Sequence, residues 1–294
     1  MGGRGPKELE PARPLALVEA RVRIGCSSWT SPAWWGRVYP RGIGDGERLG
    51  LYAGLYDTVE VDSTYYREPS AGLTRRWAQV TPPDFTFSLK ITRELLEPKA
   101  SPDRERLEAF LDAAALLGPK EGPLLAQFPP GFRPGRNEKF LGAFLEALPP
   151  GPRYALELRD PGWFSGGPWE RLQRCLTDRG MALTWSYLTY VTVPRVRTAD
   201  FVYLRFIGDH TTIPEAQHGE TRVDRSGILR EYLPALSEAR DSAREIFVYF
   251  NNHFAGFAPA SVNLFRETLG LPPIDFARNA QAPGEGSQQR LSGL

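Results

Sequence analysis

The stretch Ala155–Trp163, ALELRDPGW, decides the fold. It begins like the middle of a buried strand and then places Glu157, Arg159 and Asp160 close together. Strand side chains alternate in direction, so Glu157 and Arg159 share a face with Ala155, while Leu156 and Leu158 point the other way. A carboxylate and a guanidinium seldom enter an interior unpaired. A strand carrying both on one face aims them at a common place, and the rest of the chain has to supply their partners.

Seven other segments are rich in branched and aromatic residues and read as strands: Val22–Trp29, Thr58–Tyr65, Phe85–Lys90, Leu124–Pro129, Ala182–Tyr187, Phe201–Gly208 and Ile246–Asn252. With Arg153–Arg159 they make eight. Apolar residues recur at helical spacing over 45–56, 70–80, 101–118, 135–149, 167–180, 226–242 and 258–270. In the third of these, Ser101 is the expected cap, Pro102 falls in the first turn and Gly118 is the expected stop. Only the sixth connection, 188–200, lacks a helical pattern. Eight alternations in one run favour an α/β fold of the single (β/α)8 TIM-like barrel type, with the sixth helix short or irregular; an open doubly wound sheet is the alternative. The barrel is expected over 22–276, between a flexible leader at 1–21 and a flexible tail at 277–294.

Composition narrows the function classes. The 294 residues carry 36 Lys+Arg against 35 Asp+Glu, a net charge of +1, so no strong nonspecific nucleic-acid binding is expected. Cys26 and Cys175 are too few for a disulfide framework or a cysteine-rich zinc site. The opening 20 residues, broken by Pro11 and Pro14, read as a polar leader rather than a signal peptide, and no apolar run reaches the ~20 residues of a membrane span. A cytoplasmic setting without membrane attachment is expected.

In barrels of this kind the site lies at the C-terminal ends of the strands, and here those ends are polar. They carry Cys26–Trp29, Glu60 and Asp62, Lys90, Gln127, Glu157 with Arg159 and Asp160, Ser186, Arg205 and Asp209, and Asn251 with Asn252. Parity puts Glu60 with Asp62, Ser88 with Lys90, and Tyr203 with Arg205 and Ile207. The interior then holds Lys90, Arg159 and Arg205 against Glu60, Asp62 and Glu157. Such a set reads either as a closed ion-pair network that specifies the barrel or as a functional centre. Trp29, Trp34, Trp35, Tyr65, Tyr66, Trp163, Trp185 and Tyr187 crowd the same rim, offering stacking surface or satellite core. Cys26 has no visible activating base. His253 with His210, Asp209 and Glu60 is the one metal alternative, without a diagnostic ligand spacing, and no phosphate-binding glycine loop occurs. No motif requires a cofactor.

These same residues carry a resemblance. GCSSW…WWGRVYP, VEVDSTYYREPS…W, FSLK, LLAQFPPGF, ALELRDPGW, YLRFIG and VYFNNHFAGFAP, running from Ile24 to Leu269, resemble the ordered motifs of the DUF72 (YecE-like) family of uncharacterised proteins. The resemblance implies a TIM-like barrel, brings no established reaction, and implies a site at Trp29, Glu60, Ser63, Thr64, Tyr66, Lys90, Gln127, Glu157, Arg159, Trp163, Arg205, Gly208 and Asn252. Two positions depart from the family pattern. TWSY stands where an aspartate is usual near the end of strand six, and Ile207–Gly208 stands where the family has His-Gly, which removes a natural acid–base group.

Three functional readings follow. In the first, a hydrolase or isomerase for a small phosphorylated or sugar-like substrate uses Glu60 and Glu157 as acid and base with Arg159 or Lys90 stabilising charge. Its ligand, a small polar or anionic molecule, is expected against Arg205, Lys90 and Arg159, with Asp62, Ser63, Thr64, Gln127, Gly208 and Asn252 nearby and Trp29, Tyr66 or Trp163 stacked on it. The second is a non-catalytic ligand-binding or scaffold protein. The third is a metal-assisted phosphodiesterase or nuclease.

Overall fold

A computed structural model describes residues 20–208, 211–276 and 280. The expected leader and tail lie outside the described residues apart from 20, 21 and 280, as do Asp209 and His210. Strands and helices alternate. The strands are β1 (Arg21–Cys26), β2 (Thr58–Val61), β3 (Thr86–Leu89), β4 (Leu124–Gln127), β5 (Tyr154–Glu157), β6 (Ala182–Leu188), β7 (Val191–Thr192), β8 (Phe201–Phe206) and β9 (Glu245–Phe250). The helices are α1 (Asp45–Ala53), α2 (Ala71–Gln79), α3 (Arg104–Ala115), α4 (Glu138–Ala147), α5 (Gly166–Arg179), α6 (Ser226–Arg240), α7 (Asn252–Ala255) and α8 (Ala258–Thr268).

All strands but β7 are parallel and form a nearly closed eight-stranded barrel. Ladders run β1-β9-β8-β6-β5-β4, and β2 pairs with β3. Two seams complete the circle by other means. Between β3 and β4, Ile91 N donates to Leu125 O at 2.9 Å and Gly122 N to Phe87 O at 2.7 Å. Between β1 and β2, the Tyr52 hydroxyl from α1 accepts from Cys26 N at 2.8 Å and donates to Thr58 O at 3.0 Å. A Cβ on Gly25 would sit 2.1 Å from Thr58 O, so only glycine lets these two backbones approach.

The sixth connection has no helix. Its Val191, Thr192 and Val193 are β-branched and Pro194 follows, a poor helical sequence. Instead β7 turns back antiparallel onto the end of β6, pairing Tyr187 with Thr192 and Leu188 with Val191. One start differs from expectation: α3 is capped by Asp103, whose carboxylate accepts from Arg106 N at 3.2 Å, rather than by Ser101. It ends at Ala115, short of Gly118. The Asp103 carboxylate captures the orphan amide of the first turn, which settles the register of the start.

Parity divides the core. Ile24, Val59, Phe87, Ala126, Leu156, Leu183, Leu204 and Val248 face the helices, while Leu125, Ala155, Ala182, Phe201, Tyr203, Phe247 and Tyr249 fill the barrel. Ile207, beyond the end of β8, joins the outer core. Among the described residues no helix is long and apolar enough to cross a membrane.

Candidate functional site

Above the apolar layer inside the barrel sits Arg205, 2% exposed. Its guanidinium forks onto Glu60, with Nε to Oε2 at 2.8 Å and Nη2 to Oε1 at 2.7 Å. Nη1 donates to Gln127 Oε1 at 2.9 Å and to Glu157 Oε2 at 2.5 Å. Glu157 also accepts from Arg159 Nε at 2.5 Å and from Ser186 Oγ at 2.6 Å. Glu60 accepts from Tyr203 OH at 2.7 Å, and that hydroxyl lies 2.7 Å from Ser88 Oγ. Lys90 Nζ donates to Asp62 Oδ1 at 3.0 Å and rides 4.4 Å above the Tyr65 ring. The Glu157–Arg159 pair is completed by Arg205, contributed by a strand 48 residues further along the chain.

The electrostatics follow from burial and pairing. Burial would raise the Glu157 carboxyl, but the Arg159 and Arg205 charges and the hydrogen bonds from Ser186 and Arg205 outweigh it and hold the group well below the usual carboxylate range. Burial opposes the charge of Arg205, yet Glu157 and Glu60 keep it firmly protonated. Burial, then the Glu60 charge, pushes the Tyr203 phenol up. Three cations therefore meet three anions, and Glu60 and Glu157 are both 0% exposed. A general acid needs a proton at working pH and a path to the substrate, and neither glutamate has both.

The other expected site residues are placed as follows. Thr64 Oγ1 accepts from Lys90 N at 2.9 Å and lies 2.8 Å from Lys90 O, knotting the ends of β2 and β3. Asn252 Oδ1 accepts from Ala258 N at 2.9 Å and from Trp34 Nε1 at 3.3 Å, while its amide donates to Ser31 Oγ, so the side chain holds the β9–α8 loop. Gly208 has φ +76°, and a Cβ there would lie 2.3 Å from His253 O, so the glycine lets the end of β8 pass under α7. Trp163 is buried, stacked on Phe132 at 5.9 Å, with Nε1 donating to the Phe132 carbonyl. Trp34 and Trp185 are core as well. Trp29 is half-buried, edge-on to Trp77 at 5.5 Å, whereas Ser63 and Tyr66 are exposed.

Beside this closed centre, at the ends of β1 and β9, lies a cleft of about 390 Å³. Ser27, Ser31, Asp62, His218, Asn251 and His253 are among the residues lining it. Ser27 is 2% exposed, and its hydroxyl has no hydrogen-bond partner among the described residues. His253 Nδ1 lies 2.8 Å from the Ile213 carbonyl and so carries the proton of that contact, and its ring meets His218 edge-on at 4.5 Å. Asp62, the most exposed acid of the central network, reaches this cleft. No three His, Cys, Asp or Glu side chains among the described residues converge on a cation-sized site. His218 stands outside the family-like motifs, and Ser27 stands in GCSSW, where Trp29 is the implied site residue. Ser27 follows Gly25 on the inward parity of β1, a signal that was legible; the approach of His218 to His253 is non-local.

Fold and site define a class: a (β/α)8 barrel whose mouth is bolted by a buried ion network, with a polar cleft to one side. Residues 23–285 match the family model described as a protein of unknown function, DUF72. The chain belongs to the DUF72 family. UPF0759 protein YecE of Escherichia coli K12 is 30% identical over 167 residues, which cover 54% of this chain and 57% of YecE. That match therefore spans little more than half of YecE. UPF0759 protein YunF of Bacillus subtilis is 24% identical over 276 residues, 85% of this chain and 95% of YunF. Crystal structures of DUF72 family proteins from Thermotoga maritima (TM-score 0.70, 23% identity, 85% of this chain and 99% of that one) and Enterococcus faecalis (0.69, 21%, 86% and 99%) share the fold.

Proposed function

We propose that this protein binds a small, hydroxyl-rich polar molecule, a sugar or polyol, in the cleft between the ends of β1 and β9, and that Glu60 and Glu157 take no acid–base part. The carrying observation is the hydroxyl of Ser27, a residue that lines that cleft, which is buried and has no hydrogen-bond partner among the described residues. Buried polar atoms in native proteins are satisfied with few exceptions, by protein groups or water, so a hydroxyl at the cleft wall without a protein partner is a group that a bound hydroxyl can satisfy. Arg205, Arg159 and Lys90 are each already paired with a carboxylate, which favours a neutral ligand over a strongly anionic one.

A panel of monosaccharides, polyols and their phosphates, screened by thermal shift and followed by calorimetric titration, tests this reading. A neutral polyhydroxylated compound should raise the melting temperature, and Ser27→Ala should weaken it by about fivefold to tenfold, the loss of one hydrogen bond. A panel without a hit, or a hit indifferent to Ser27→Ala, overturns it. Turnover as a hydrolase or isomerase is the second reading, favoured by Asp62, which is 28% exposed and lines the cleft. Turnover on a bound sugar derivative that Asp62→Asn abolishes would establish it.

A further inference from the structure

A second cavity, of about 420 Å³, lies outside the barrel wall where α1 and α2 flank the ends of β1 and β2. Its character is unlike that of the cleft. Leu49, Val61, Trp29 and Trp77 supply apolar walls, with the two indoles edge to face at 5.5 Å and 82°. Of the four large hydrophobic residues exposed among the described residues, Leu73 (43%) and Val80 (37%) both line it. An exposed apolar rim around a concavity marks a place where something apolar is covered.

Two guanidinium groups stand at this apolar hollow. Arg48 lies 4.3 Å over the Trp35 ring and pairs with Asp45, but its Nε is buried and has no hydrogen-bond partner among the described residues. Arg76 reaches across from α2, its Nη2 3.0 Å from where a Cβ of Gly46 would be, and forms no ion pair among the described residues. The acids that line the cavity are occupied: Asp45 by Arg48, Asp62 by Lys90. The cavity therefore combines apolar walls with one cation, Arg76, that has no acid partner among the described residues.

We propose that this cavity, which adjoins the cleft and shares Ser28, Thr30 and Asp62 with it, is a second binding site, for a small amphiphilic monoanion of the arylalkanoic acid type. The ring lies against Trp29, Trp77, Leu73 and Val80, and the carboxylate meets the Arg76 guanidinium. A charge-assisted, forked contact to guanidinium is what such a carboxylate accepts. A sugar would leave the apolar walls uncovered, and inorganic phosphate would not cover them either.

3-Phenylpropionate tests the proposal, with its neutral counterpart 3-phenyl-1-propanol and inorganic phosphate as comparators, in titrations of the full-length protein followed by tryptophan fluorescence and calorimetry. The carboxylate should bind saturably and about tenfold more tightly than the alcohol, with phosphate not competing. Arg76→Gln, an exposed substitution that leaves the fold intact, should reduce the carboxylate to the affinity of the alcohol. Leu73→Asp should remove binding of both. Absence of saturable carboxylate binding, equal binding of acid and alcohol by the parent protein, displacement by phosphate, or an unchanged preference in Arg76→Gln would each overturn the proposal.

Discussion

The barrel centre and the β1/β9 cleft are neighbours at the same rim and are both polar, yet they are opposite kinds of place. In the centre every oxygen of Glu60 and Glu157 accepts from a cation, with Tyr203 or Ser186 adding hydroxyl donors. In the cleft, uncharged groups predominate and the Ser27 hydroxyl is left open. The density of charge marks the architecture, because buried ions persist only when their partners are built in. The unmet hydrogen bond is the one that the proposed ligand would make.

The strongest way to break this contrast is Arg205→Met. Two buried glutamates would lose their shared cation, and a loss of about 3–5 kcal/mol is expected in urea unfolding. Replacing the set together, Arg205→Met with Glu60→Gln and Glu157→Gln, should recover a large part of that loss. A single variant as stable as the parent would mean that the centre is not a closed network.

Gly208→Ala acts at the joint between the two regions. The left-handed φ and the clash with His253 O should cost on the order of 1–3 kcal/mol and displace α7, so both the melting temperature and the cleft's sugar affinity should fall. A loss of stability with unchanged affinity would separate the cleft from the end of β8.

The centre is expected to be acid-sensitive. Glu157 titrates below its usual value of about 4.5, so its contribution to stability is complete above that value and is lost as pH falls through the folded-state value. Arg159→Gln removes one of its two cations and raises the folded-state value. The acid limb of stability against pH should therefore move upward by on the order of half a pH unit, as read by fluorescence during acid titration. A limb that stays in place would mean that Arg205 alone sets the charge of Glu157.

The smallest effect on stability is expected for Ser27→Ala. It removes a hydroxyl that has no partner among the described residues, so denaturant unfolding should change by less than about 0.5 kcal/mol while ligand affinity falls. A large destabilisation would make Ser27 structural and cancel the contrast.

Much of the fold was legible. The eight strands, the helix missing after β6 and the inward facing of Glu60, Glu157 and Arg205 follow from period-two and helical patterns that are written locally. The set of charges at the rim was legible too, but not its wiring. Nothing near Arg205 in sequence signals that it will fork onto Glu60, 145 residues away. Trp163 and Trp34 look like stacking platforms in a one-dimensional reading, and only the packing of Phe132 and Tyr52 beside them makes them core. Thr64, Gly208 and Asn252, which stand in the family-like motifs, fasten loops in this chain.

By itself the sequence determined the alternation of elements, the two faces of each strand and the membership of the family, since each depends on residue order over short spans or on motifs in series. Tertiary structure alone decided which charges neutralise one another, which aromatics are sealed, and that a hydroxyl at the end of β1 and an arginine on α2 find no partner among the described residues. Those outcomes depend on distances across a closed barrel, where groups far apart in the chain come within hydrogen-bond range only after the strands have met.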